Sequence, residues 1–177
     1  MAQERAGAVT FKGNPLTLVG PEIRTGQLAP DFTAVDTALQ PVRLSGARGT
    51  VVILSAVPSL DTPVCDTETR RFNQEAGQLG AGVEVWTVSM DLPFAQKRWC
   101  GAAGITHVKT VSDFRDRAFG HAYGTLIKEG PLAGLEARAV FVVGRDGHVT
   151  HVEYVKEVTT EPHYETALAA ARAAAAR

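Results

Sequence analysis

Apolar residues follow two rhythms along this chain. Val51-Val52-Ile53-Leu54-Ser55-Ala56-Val57 is a nearly continuous apolar run, which predicts a strand buried on both faces. Val83-Glu84-Val85-Trp86-Thr87-Val88-Ser89 alternates and predicts a second strand, and a helix between the two makes a parallel crossover unit. That helix is expected after Thr62. Phe72, Ala76 and Leu79, at spacings of four and three, give it a face that covers the sheet, and Gly80 and Gly82 end it. Val9 to Lys12 and Leu16 to Val19 flank Gly13-Asn14-Pro15 and predict an N-terminal β-hairpin. Phe32 to Val35, Val42 to Leu44 and, more weakly, His107 to Val111 read as further strands. Ala139 to Val143 and Val149 to Val155 are joined across Arg145-Asp146-Gly147, and Asp-Gly is a strong hairpin signal. A short helix is expected from Asp91-Leu92-Pro93 through Gln96 toward Cys100, and one capped by Asp113 ends near Gly124. The last helix opens at Glu161-Pro162 and is alanine-rich to Arg177. This order of elements predicts an α/β chain with a central mixed sheet flanked by helices on both sides.

Composition narrows the function classes. At 177 residues and 45% hydrophobic, the chain reads as one domain, 1–177, with about residues 1–8 open to disorder. Lys plus Arg total 18 against 19 acidic residues, which offers no electrostatic footprint for nucleic acid or an anionic membrane. The polar start lacks the apolar segment of a signal peptide and no long uninterrupted apolar stretch occurs, so a cytoplasmic protein is expected. Two cysteines with residues 66–99 between them are too few for a disulfide framework and lack the paired spacing of a zinc site. His148 and His151 stand an odd number of residues apart on an expected strand and face opposite ways. No glycine pattern matches a phosphate loop.

Chemistry concentrates at Pro58-Ser59-Leu60-Asp61-Thr62-Pro63-Val64-Cys65, where a buried strand gives way to a helix. Thr62 fits the N-cap and Pro63 the first helical position, so Cys65 falls in the first turn. There, unpaired amide N–H groups and the helix dipole favour an anion such as a thiolate. Asp61, Asp66 and Glu68 work against it, so a cationic partner is expected from elsewhere in the chain. Taken alone, Cys65 could equally be an inert buried thiol, Thr62 only a cap, Pro58 a strand terminator and Arg138 a solvated charge.

The Pro58, Thr62 and Cys65 spacing resembles the active-site signature of peroxiredoxins. Arg70-Arg71-Phe72-Asn73, Asp91-Leu92-Pro93-Phe94-Ala95-Gln96 before Cys100-Gly101, Gly130-Pro131-Leu132, Ala137-Arg138-Ala139 and Thr159-Thr160-Glu161-Pro162 extend the match. Together they are similar to the bacterial thiol peroxidase branch, an atypical two-cysteine group, and run from about Gly13 to the last helix. The resemblance implies a thioredoxin-like (peroxiredoxin) fold. It makes Cys65 the peroxidatic nucleophile, Cys100 the resolving cysteine that joins it in a redox disulfide, Thr62 a hydrogen-bond partner of thiolate and peroxide, Pro58 a shield against water and Arg138 the missing cation. It further implies a hydroperoxide substrate, thioredoxin or a similar dithiol as reductant, a homodimer, and no metal, haem or flavin cofactor. A cytosolic setting argues against a static Cys65–Cys100 bridge. Phe94, Trp99 and Met90 are expected as core or pocket wall. Two other readings stay open: a disulfide oxidoreductase, weakened because no Cys-x-x-Cys occurs, and a redox-sensing or chaperone-like binding protein.

Overall fold

The computed structural model describes all 177 residues. In chain order its elements are β1 (Glu4–Phe11), β2 (Asn14–Val19), β3 (Thr33–Asp36), β4 (Pro41–Arg43), β5 (Val51–Ala56), α1 (Pro63–Ala76), β6 (Val83–Ser89), α2 (Pro93–Ala103), β7 (Val108–Ser112), α3 (Ala118–Tyr123), β8 (Leu126–Ile127), β9 (Ala139–Val143), β10 (Val149–Tyr154) and α4 (Tyr164–Ala175). Seven strands form one sheet in the order β10-β9-β5-β6-β7-β3-β4, and β1-β2-β8 form a smaller one. β5, β6 and β7 are parallel, while β9 and β3 join them antiparallel. This is the mixed sheet that the order of elements predicts.

Alternation along the strands divides the core between the two faces. Val51, Ile53, Val83, Val85, Val140 and Val142 pack under Phe72 of α1 and Ala167, Leu168 and Ala171 of α4. Their neighbours Val52, Leu54, Trp86, Val88 and Phe141 face the other way, onto Phe32 and onto Phe119 and Tyr123 of α3. Phe72 is fully buried and meets the Tyr164 ring edge-on; removing such a side chain from water contributes about 1.5–3 kcal/mol. The small alanines of α4 let that helix lie close to the sheet.

Several boundaries differ from the sequence expectation for local reasons. The first hairpin turns on Lys12 and Gly13, both with positive φ (50° and 81°), so Asn14 and Pro15 already pair with Phe11 and Thr10. Asp91 does not open α2. Leu92 occupies the N-cap position and Pro93 the first helical one, because the Asp91 carboxylate is engaged elsewhere. α2 then continues through Cys100 and Gly101 to Ala103, stopping at Gly104 in the left-handed region (φ 67°), a common glycine helix stop. α1 ends at Ala76, ahead of Gly80, and α4 begins after Pro162, at Tyr164.

Register brings distant residues together at one end of the sheet. Ala56, the last residue of β5, pairs with Ala139, the first of β9. Residue 138 therefore enters beside the segment that leaves β5 for α1. This is the carboxyl end of the parallel strands, where open α/β sheets place their ligands.

Candidate active site

Cys65 sits in the first turn of α1 and is fully buried, packed with Val57, Leu60 and Trp99. Thr62 has the extended backbone of an N-cap (φ −93°, ψ 146°) and Pro63 follows it. The cap does not act through its side chain as expected, however. The Thr62 hydroxyl donates to the Ser59 carbonyl at 2.8 Å, closing the same turn that the Thr62 N–H closes at 3.1 Å. Pro58 is buried and Thr62 half-buried.

Asp91 holds this turn from below. Its carboxylate accepts the Ser59 hydroxyl at 2.7 Å, the Leu60 N–H at 2.8 Å and the Ser89 hydroxyl at 2.8 Å. It is a site residue that the sequence reading assigned to helix initiation instead. Because hydrogen bonds to a charged group are each worth about 1.5–3 kcal/mol net, Asp91→Ala is expected to destabilise the fold by about 2–3 kcal/mol. Misplacing the turn is expected to slow Cys65 oxidation by about 10- to 100-fold. Denaturant melts and rapid-mixing kinetics test both, and an unchanged oxidation rate would show that the turn needs no such support.

The cation that Cys65 calls for is Arg138, only 2% exposed. Its Nη2 donates to Cys65 Sγ at 3.3 Å, Nη1 to Glu68 Oε2 at 2.5 Å and Nε to the Val158 carbonyl at 3.0 Å. The other Glu68 oxygen accepts the Ser55 hydroxyl at 2.8 Å. Glu68 lies three residues after Cys65, hence on the same helix face. The expectation that Glu68 simply opposes the thiolate is therefore corrected, since it anchors the guanidinium. Asp66 and Asp61 are likewise engaged: Asp66 accepts Trp99 Nε1 at 2.9 Å and Arg70 Nε at 2.8 Å, and Asp61 pairs with Arg98 at 3.2 Å near the surface.

One buried cation thus serves two potential anions. Burial drives the Glu68 carboxyl up, Arg138 and the Ser55 hydroxyl only partly offset this, and it reaches about 7. Burial opposes the Arg138 charge, but Glu68 and the Cys65 sulfur outweigh it and the net direction is upward. Glu68 binds its proton more tightly in the folded state than at its ordinary value of 4.5. Its contribution to stability is therefore lost as pH rises from about 4.5 to about 7.

Cys100, in α2, is half-buried and borders the same apolar cluster as Cys65; both thiols are free. Its Sγ lies 3.5 Å from the Thr110 hydroxyl. Burial pushes this thiol up, with Thr110 acting in the opposite direction. α2 is docked on α1 and the turn before it through Trp99–Asp66, Arg98–Asp61 and Arg70 Nη1 to the Ala103 carbonyl at 3.4 Å. Trp99 is core, at 6% exposure, but Phe94 is 68% exposed and so is not core.

The structure therefore brings Arg138 against Cys65, with Cys100 across the shared cluster and Pro58 and Thr62 in the turn that leads into α1. Ser55, Glu68 and Asp91 join them unannounced. For Glu68 a signal was present in its spacing from Cys65; for Ser55 and Asp91 the partners lie too far away in sequence. A sealed thiol beside a fixed guanidinium can act as a nucleophile whose developing charges are met by N–H donors.

Comparisons with known proteins identify the chain's relatives. The Redoxin family profile matches residues 24–168. The chain is 55% identical over 167 residues to the thiol peroxidase of Halalkalibacterium halodurans, covering 94% of this chain and 98% of that one. It is 53% identical over 165 residues to the thiol peroxidase of Bacillus subtilis, covering 93% and 96%. The crystal structure of a peroxiredoxin-like protein from Aquifex aeolicus superposes with a TM-score of 0.90 at 47% identity, over 95% of this chain and 97% of that one.

Proposed function

We propose, for a chain that belongs to the Redoxin family and is a peroxiredoxin-type thiol peroxidase, that Cys65 is the peroxidatic nucleophile and Cys100 resolves it. The observation that carries this reading is the 3.3 Å contact from Arg138 Nη2 to Cys65 Sγ. The Cys65 thiolate attacks the terminal oxygen of a hydroperoxide, the O–O bond breaks, and the leaving alkoxide or hydroxide takes a proton to become alcohol or water. Cys65 is left as a sulfenic acid. Arg138 meets the charge that moves from sulfur to the displaced oxygen, a form of stabilisation that commonly contributes two to three orders of magnitude, about 2.7–4 kcal/mol. Thr62, half-buried in the same turn, hydrogen-bonds the peroxide, and buried Pro58 excludes water.

In the second half-reaction the Cys100 thiol displaces hydroxide from the sulfenic sulfur, giving a Cys65–Cys100 disulfide and water. A thioredoxin-like dithiol then reduces the disulfide, regaining both thiols and itself becoming oxidised. Hydrogen peroxide and organic hydroperoxides are the proposed substrates, the reaction needs no bound cofactor, and the chain works as one domain, in the cytoplasm, as a homodimer. No helix is long and apolar enough to cross a membrane.

The test is peroxide consumption with reduced thioredoxin. Many turnovers per protein are expected for the wild type, and none above background for Cys65→Ser. A single equivalent consumed per chain, followed by arrest despite fresh thioredoxin, would instead favour a stoichiometric redox sensor.

A further inference from the structure

Two carboxyl groups are buried away from Cys65, and neither is used by the proposed mechanism. Asp113 is 2% exposed and Glu136 is fully buried. Asp113 Oδ1 and Oδ2 accept the N–H groups of Phe119 at 3.0 Å and Gly120 at 2.9 Å, at the start of α3. Glu136 Oε2 accepts the Thr125 hydroxyl, but Oε1 has no partner. Gly120 lies against both groups. Its N–H binds Asp113, and a Cβ there would stand 2.9 Å from Glu136 Oε1.

Two adjoining carboxylates in so dry a place cannot both stay ionised. One proton removes the conflict and also gives Glu136 Oε1 the role it lacks, as donor to Asp113. Asp113 is the better anion because two backbone N–H groups already point at it, whereas Glu136 faces one hydroxyl. We propose that Glu136 carries this proton, that Glu136 and Asp113 form a single acid–carboxylate clasp, and that the clasp positions Arg138 for the reaction at Cys65.

The mechanical link is short. Glu136 stands two residues before Arg138, and Ala137 N–H donates to the Thr125 carbonyl at 2.7 Å, so the Thr125 and Glu136 segments are held together on both sides of the clasp. Asp113 is fixed in turn, its N–H donating to Ser89 at 2.9 Å and its carbonyl accepting Arg117 N–H at 3.0 Å. The basic groups that face the pair are Arg117, at the N-cap position of α3, and His121 within it. Both favour the remaining negative charge. Burial, then the facing Asp113, holds the Glu136 carboxyl well above the usual range; burial also raises Asp113, against the donated hydrogen bond.

Glu136 is thus a positioning residue, and the inference rests on Arg138 acting at Cys65. Three full-length proteins test it: wild type, Glu136→Gln, whose amide N–H replaces the acid proton, and Glu136→Leu, which removes the donor at similar size. Infrared spectra near pH 9, where Glu68 is ionised, are expected to show a protonated-carboxyl band in wild type that Glu136→Gln lacks. Cys65 oxidation by hydrogen peroxide is expected to stay within about twofold in Glu136→Gln and to fall about tenfold or more in Glu136→Leu. Alkylation of Cys65 by iodoacetamide, which develops no charge on a displaced peroxide oxygen, is expected to fall less. An absent acid band, an equal loss in both variants, or wild-type peroxide kinetics in Glu136→Leu would overturn the clasp. If Glu136→Leu does not fold, the band and the Glu136→Gln rate still decide. Arg138→Met serves as the control: wild-type peroxide kinetics there would sink the reading of Arg138, while the infrared band would still report on the proton.

Discussion

Arg138→Met is expected to slow the reaction of Cys65 with hydroperoxide by about 100- to 1,000-fold, because it removes the N–H donor that meets the sulfur and the displaced oxygen. The substitution has a second effect that must be separated from the first. Arg138 is buried and bonded to Glu68 at 2.5 Å, and breaking one side of a buried ion pair costs about 3–5 kcal/mol when the other charge is stranded. Glu68 can evade part of that cost by taking a proton, since burial already raises it to about 7. The stability loss is therefore expected to be smaller at pH 5 than at pH 8. The double variant Glu68→Gln/Arg138→Met, which leaves no stranded charge, is expected to recover most of the stability and none of the rate. Glu68→Gln alone is expected to reduce the fall in stability between about pH 4.5 and pH 7, leaving the part that the buried Glu136 carboxyl contributes. Urea melts across pH and single-turnover oxidation measure the two quantities on the same proteins. If the double variant regained the rate, Arg138 would be acting on the fold and not on the chemistry.

Oxidation is expected to lower amide protection in α2 and the first turn of α1 by about 100-fold while leaving β5 and β6 unchanged. In the reduced structure Cys65 is sealed, Cys100 contacts Thr110, and both thiols are free. A disulfide requires α-carbons within about 7 Å and Cβ vectors that converge. α2 is built to yield. It spans only Pro93–Ala103, carries Gly101 inside it and stops at Gly104; an interior glycine costs about 1 kcal/mol relative to alanine. It is held by buried Gln96, whose Nε2 donates to Ser89 Oγ at 3.1 Å and to the Val111 carbonyl at 3.0 Å, by Trp99–Asp66 and by the exposed Arg98–Asp61 pair. An exposed pair of that kind is worth at most about 1 kcal/mol. Hydrogen exchange of the reduced and peroxide-treated protein, resolved by segment, reads this directly. Identical protection around both cysteines would mean that the disulfide forms without unwinding.

The parts of this structure that were legible in the sequence are those encoded within a few residues. The apolar run at Val51–Val57, the alternation of Val83–Ser89, Asp146-Gly147 between two strands and Pro63 behind Thr62 each specify local geometry, and each appears where expected. The seven-strand order does not follow from such signals, because it depends on β9 and β3 joining the parallel strands from outside. Arg138 illustrates the limit. On its own it reads as a solvated charge at a strand edge, and only the Ala56–Ala139 register places it beside Cys65. Family resemblance supplied what local pattern could not. Thr62 and Glu68 were misread in part for the opposite reason: their neighbours in sequence suggested a cap and a repulsion, whereas a nearer carbonyl and a distant guanidinium claimed them. Phe94 reads as core or pocket wall because it is large and apolar, and its place near the start of α2 keeps it out of the core.

In the proposed mechanism Cys65 reacts first and Cys100 completes the cycle within the same chain. Intact mass and free-thiol count after one equivalent of hydroperoxide test it most directly, on wild type, Cys65→Ser and Cys100→Ser in parallel. Wild type should rapidly become lighter by two hydrogens and lose both thiols, Cys100→Ser should gain one oxygen, and Cys65→Ser should not react on that timescale. Slow and equal oxidation of all three proteins would contradict the assignment and leave Cys65 an inert thiol beside an arginine.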